Sequence, residues 1–140
     1  MSLSPLSLPQ LTRTPSPRRR PPYFKNLKVA VVWMTGSHQY APWFDPSWTL
    51  VAHPCTFSIC QREPDWWFDL HPRVCFTQTK SWRPGYYQWL KALRTPIFMQ
   101  QDWPDIPMAI RYPKERIRAE FRPFFTNHVA WMIALAMTEG

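Results

Sequence analysis

Six prolines fall between Ser2 and Pro22, and they decide where a fold can begin. Proline fixes φ and offers no backbone N–H, so this stretch can enter neither a helix interior nor a central strand. Residues 1–27 therefore read as a basic, proline-rich arm, extended and disordered unless a partner holds it. The fold has to come from residues 28–140, a length that suits one domain.

Charge divides the chain in the same way. From Met1 to Phe44 there are six basic residues and no acidic ones, while Asp45 to Gly140 holds eleven basic and nine acidic residues. Of the net +8, six charges sit in the first 44 residues, and the body is nearly neutral. Arg13 and the run Ser16-Pro17-Arg18-Arg19-Arg20 place arginines where they can lie along phosphates or against an acidic protein. The alternative is a solvated tail, the usual fate of a basic run.

Hydrophobic residues make up 45% of the chain, enough for a core, and nine are tryptophan. Trp66, Trp67, Trp82, Trp89 and Trp103 are expected in the core or at its rim, with stacking on bases or sugars as the functional alternative. This aromatic surplus also leaves self-association open. Cys55, Cys60 and Cys75 are an odd number without a secretory signal, which points to reduced thiols in a cytosol. They show no Cys-x-x-Cys spacing, so a zinc site built with His53 or His71 is not expected, nor is a cysteine nucleophile. The longest apolar run, Val129 to Met137, is too short to span a bilayer, and no membrane partner is expected.

Along the body, Lys28–Val32 is a β-branched apolar run of the kind buried on both faces of a parallel sheet, and it is expected to be the innermost strand. Trp48–Ala52, Asp65–Pro72 and Pro96–Met99 are further strands. In the third, Asp65, Trp67 and Asp69 share one face, Trp66, Phe68 and Leu70 share the other, and His71 follows at the carboxyl end. Tyr86 to Arg94 has helical periodicity. Pro113 can open a helix running to Phe121, and Thr126 or Asn127 can cap a last helix over Val129–Thr138. This order predicts an α/β fold, a small, mainly parallel, Rossmann-like sheet flanked by helices.

A set of short motifs carries a resemblance. In order they are Ala41-Pro42-Trp43-Phe44-Asp45-Pro46-Ser47-Trp48, Trp67-Phe68-Asp69-Leu70-His71-Pro72, Pro96-Ile97-Phe98-Met99, Asp105-Ile106-Pro107, Arg111-Tyr112-Pro113, Phe125-Thr126-Asn127 and Ala134 to Gly140. Together they resemble a family of small bacteriophage proteins with a Rossmann-like fold. That family is itself similar to the pterin-pyrophosphokinase-like and sialyltransferase-like Rossmann domains. The resemblance implies a phage-encoded protein of the host cytoplasm, with virion association open. It also implies a nucleotide or nucleotide-like ligand at the carboxyl ends of the strands. Two departures accompany it. Trp33 follows the first strand where such proteins place a glycine against phosphate. The relatives also continue into a further strand, so this chain is expected to be a truncated form.

Candidate ligand-binding residues are Thr35, Gly36 and Ser37 in the first loop, Asp69 on the third strand, and Thr126 and Asn127 at the last helix. His71 is the candidate catalytic base. Each has a plain structural alternative: a strand-exit turn, a satisfied histidine, a helix cap. Three functions remain open. The first is nucleotide-like ligand binding without obligatory turnover. The second is a structural or nucleic-acid-associated role through the arm, with the ligand site lost. The third is transfer from a nucleotide-activated donor, which rests on fold analogy. Whether the chain is an enzyme is left undecided. No cofactor beyond a nucleotide and no metal is expected.

Overall fold

The computed structural model describes residues 21–33, 36, 38–78, 84–121 and 127–139. The body holds a five-stranded sheet, β1 (Lys28–Val31), β2 (Trp48–Ala52), β3 (Trp66–Asp69), β4 (Ile97–Met99) and β5 (Ala109–Arg111). Every neighbouring pair is parallel and the spatial order is sequential, β1 to β5. The α/β class and the parallel sheet match the expectation. Among the described residues, the α-helices that accompany the sheet are α1 (Arg73–Thr77), α2 (Tyr86–Ala92), α3 (Lys114–Glu120) and α4 (His128–Glu139).

Sequential order makes the first strand an edge. The expectation that Lys28–Val32 is innermost is corrected here: β1 borders the sheet, with Lys28 exposed and Val29 to Val31 half-buried. Its apolar run is explained by cover rather than by a central place, since α4 packs across it. The centre belongs to β3, whose Trp66, Trp67, Phe68 and Asp69 are all buried.

Strand alternation sends side chains to two apolar layers. Leu50, Ala52, Trp67, Ile97, Met99 and Ala109 face α1, α2 and the β4–β5 connection, meeting Phe76, Tyr86, Leu90 and Ile106. Val51, Trp66, Phe68 and Phe98 face the other way, against Ile117, Met132, Ala134 and Leu135 of α3 and α4. The crossovers therefore cover one face, and the chain's last two helices return to cover the second. Trp66 stacks on Phe98 with ring centroids 5.0 Å apart.

Two devices close the ends of this sandwich. The Glu139 carboxylate, at the end of α4, accepts the backbone N–H groups of Tyr23 and Phe24 at 2.5 and 2.9 Å. That contact seats Phe24 in the core, and a turn through Asn26, at φ 60°, feeds β1. Asp65 lies just outside β3, where its N–H reaches the Leu50 carbonyl and its carboxylate takes the Leu50 N–H at 2.8 Å. It extends the β2–β3 pairing without belonging to the strand.

Replacing Phe98 by Ala removes a fully buried ring shared by Trp66, Phe68 and Tyr112. Urea unfolding of Phe98→Ala should show a loss of about 3–5 kcal/mol. Phe44→Ala, at a ring 74% exposed, should change stability by less than about 0.5 kcal/mol. Equal costs at the two sites would contradict this core.

Candidate functional site

At the carboxyl end of β3 the chain buries a carboxylate. Asp69 is 1% exposed and lies on the face that meets α2. An isolated charge there is costly, so its oxygens must be filled by donors. The Trp67 indole N–H donates to the Tyr86 hydroxyl at 2.9 Å, and that hydroxyl donates to Asp69 Oδ2 at 2.8 Å. Asp69 Oδ1 accepts the backbone N–H of His71 at 3.1 Å and lies 2.8 Å from His71 Nδ1. With both oxygens acting as acceptors, the imidazole donates to Asp69 from Nδ1. The His71 side chain is 34% exposed. A partly exposed imidazole oriented through Nδ1 by a carboxylate has the form of a general base.

A second imidazole completes the cluster. His128 opens α4, and its Nε2 accepts the Leu70 N–H at 3.0 Å. Its ring lies 4.4 Å from that of His71, centroid to centroid. Burial, assisted by the neighbouring His71, pushes the His128 pKa down to about 4, against a smaller opposing pull from Asp69. On its other side His128 stacks at 6.1 Å with the buried His53, which stacks at 4.3 Å with Trp33. Trp33, His53, His128 and His71 thus form a row of rings joining the exits of β1, β2 and β3 to the start of α4. This row brings Trp33, just past β1, and His128, at the start of α4, to the end of the His71 strand, although β1 is an edge. Trp33, instead of clearing space for phosphate, is spent on this row.

Beside the cluster, across Leu70, a cleft of about 250 Å³ opens at the carboxyl ends of β3, β4 and β5. Its walls are Leu70, Gln100, Gln101, Arg111, Tyr112, Lys114, Glu115 and Trp131. The Gln100 amide donates to the Leu70 carbonyl at 2.8 Å, the Tyr112 hydroxyl donates to the Trp131 carbonyl at 2.7 Å, and Arg111 pairs with Glu115 at 3.0 Å. These contacts position the cleft's polar groups around one indole ring.

The residues expected from sequence fare differently. His71 and Asp69 come together as described. Asn127 Oδ1 accepts the Ala130 N–H at 3.0 Å and so serves as a helix cap. Gly36 is exposed in the β1–β2 connection. Thr35, Ser37 and Thr126, the arm arginines Arg13, Arg18, Arg19 and Arg20, and Trp82 lie outside the described residues. Trp66 and Trp67 are core, and Trp89 and Trp103 pack against it. Burial raises the Cys60 thiol to about 11, which disqualifies it as a thiolate nucleophile. His128 and the cleft residues Gln100, Arg111, Lys114 and Trp131 were not anticipated. Arg111-Tyr112-Pro113-Lys114 would have signalled the cleft had Ala109–Arg111 been read as a strand.

A third cluster lies further along the same edge. Arg73 makes a two-pronged contact with Asp105 at 2.9 and 2.8 Å, and the Tyr87 hydroxyl also donates to that carboxylate. The guanidinium and the hydroxyl hold Asp105 well below the usual carboxylate range. Arg73 also stands 5.0 Å from the Trp103 ring. Its charges are mutually satisfied, so it braces the α1–α2 layer.

The class these features define is an α/β protein with an all-parallel five-stranded sheet and a polar carboxyl edge. Compared with protein-family models, with curated proteins and with solved structures, the chain matches none. Among the described residues, no helix is long and apolar enough to cross a membrane.

Because folding lowers the proton affinity of His128, the unfolded chain binds more protons between about pH 4 and the ordinary 6.5. Stability therefore falls as pH drops through that window. The ring's residual contact with water holds the effect to about 2 kcal/mol. His128→Gln keeps an acceptor for the Leu70 N–H and removes the titration. Its urea stability should decline less than the native chain's between pH 7 and pH 4, and parallel declines would contradict the assignment.

Proposed function

We propose that the carboxyl edge of the sheet binds a nucleotide or nucleotide-like ligand in the cleft between β3, β5 and α4. The observation that carries this reading is the composition of the cleft. Arg111 and Lys114 offer cations to phosphate, Gln100 and Gln101 offer amides to a base or sugar, and Trp131 offers a ring for stacking. Ligands of open parallel sheets bind beyond the strands' carboxyl ends, and the sequence resemblance to Rossmann-like phage proteins points to the same ligand class. Glu115 offsets part of the positive charge and suits a ribose hydroxyl.

A volume of about 250 Å³ lies just below the roughly 300–1,000 Å³ of typical small-molecule sites. It suits a mononucleotide better than a dinucleotide. With no reversal of strand order in this sheet, there is no crevice at a switch point to take a second half.

Calorimetric titration of the metal-free protein with nucleoside mono-, di- and triphosphates, nucleotide sugars and pterins should give saturable binding for at least one class. Arg111→Ala should weaken that binding about tenfold, the cost of one charge-assisted contact. Absence of heat with every ligand, or indifference to Arg111→Ala, would overturn the assignment.

A further inference from the structure

We infer that Asp69, His71 and His128 form a binding site for one divalent transition-metal ion of the zinc type. The inference is independent of the nucleotide cleft.

Three ligand atoms, one from each residue, lie within 4.8 Å of one another. Asp69 Oδ1 and His71 Nδ1 are 2.8 Å apart. Metal–ligand bonds of about 2.1 Å meeting at angles between 90° and tetrahedral put neighbouring ligands roughly 3.0–3.4 Å apart. That pair therefore opens by only a few tenths of an ångström to hold an ion. Two imidazoles and one carboxylate suit borderline divalent ions and leave further positions for water or a ligand, the pattern of reactive rather than structural zinc.

The surroundings match what a metal site needs. Tyr86 holds Asp69 Oδ2, and Trp67 holds Tyr86, so the carboxylate is fixed from behind. Asp69 is buried on the central strand, His71 follows it by two residues, and His128 is anchored in α4, which packs on β1 and β3. The ligands come from different elements that the core already locks together. His71, one-third exposed, gives the ion a route in.

Binding has a defined proton consequence. The ion takes the place of the proton that His71 Nδ1 shares with Asp69 Oδ1, and His71 remains neutral by carrying its proton on Nε2. His128 turns its Nε2 lone pair from the Leu70 N–H to the ion. No thiol takes part, which separates this site from a cysteine-based one.

The test uses the full chain, stripped with a chelator and titrated with Zn²⁺ and with Co²⁺. One equivalent should bind, and the Co²⁺ complex should absorb in the visible without a thiolate charge-transfer band. His71→Ala and His128→Gln should each weaken Zn²⁺ by more than about 100-fold. Tyr86→Phe, which removes the donor to Asp69 Oδ2 together with the acceptor of the Trp67 N–H, should cost about 10–100-fold. Circular dichroism and urea unfolding check that each variant is folded, and His128→Gln, which can still accept the Leu70 N–H, is the variant expected to fold best. Failure to bind Zn²⁺ at one equivalent, binding unchanged in both histidine variants, or a thiolate band would overturn the site. Nucleotide binding by the stripped protein reports on the cleft separately, so either assignment can fail alone.

Discussion

The buried carboxylate of Asp69 is the constraint on which the carboxyl edge depends. A charge removed from water at the end of the central strand is tolerable only if each lone pair that matters meets a donor. Two separate parts of the chain provide three donors: the Tyr86 hydroxyl from α2, and the amide and ring of His71 from the strand's own continuation. Satisfying Asp69 therefore fixes the distance from α2 to the sheet, the path of the chain after β3, and the Nδ1 donation of a half-buried imidazole. What looks like a stability requirement leaves a pre-oriented functional group at the surface. The same placement explains why His128 must be neutral: it faces a ring rather than a second carboxylate, and it is needed as the acceptor for Leu70.

The rest of the architecture serves to bring α4 to that point. Sequential strand order sends the successive connections over one face and leaves the other to Phe24, α3 and α4. Met132, Ala134 and Leu135 then cover Val51, Trp66 and Phe98, and Glu139 ties the far end of α4 to Tyr23 and Phe24. A helix pinned at its carboxyl end and packed along its length has little freedom at its start. His128 is consequently held against Leu70, and Trp131, one turn later, becomes the wall of the cleft. One helix thus shapes both the imidazole cluster and the ligand pocket.

Much of the fold was legible in short apolar runs. Trp48–Ala52 is a strand over the whole predicted range, and Asp65–Pro72 shortens to Trp66–Asp69. Ala109–Arg111 was missed because three residues between Pro107 and Pro113 show no periodicity, and its pairing with β4 is what makes it a strand. Arg73–Thr77 was missed because Pro72 reads as a stop, whereas here it precedes a helix. The edge position of β1 was not legible, since an apolar run records burial and not which element supplies it. Within the site, Asp69 and His71 were readable because residues i and i+2 at a strand end share a side. His128 was not: it lies 58 residues beyond Leu70, and only the packing of α4 brings it there.

One proton, shared between His71 and Asp69, organises this edge, and histidine ring nitrogens report it directly. Long-range ¹H–¹⁵N spectra of the metal-free chain, assigned by His71→Ala and His128→Gln, distinguish the two neutral tautomers of each ring. The structure requires His71 to carry its proton on Nδ1, donated to Asp69, and His128 to keep Nε2 bare toward the Leu70 N–H. A protonated Nε2 on both rings, or a His71 exchanging freely between tautomers, would mean that Asp69 does not organise this edge.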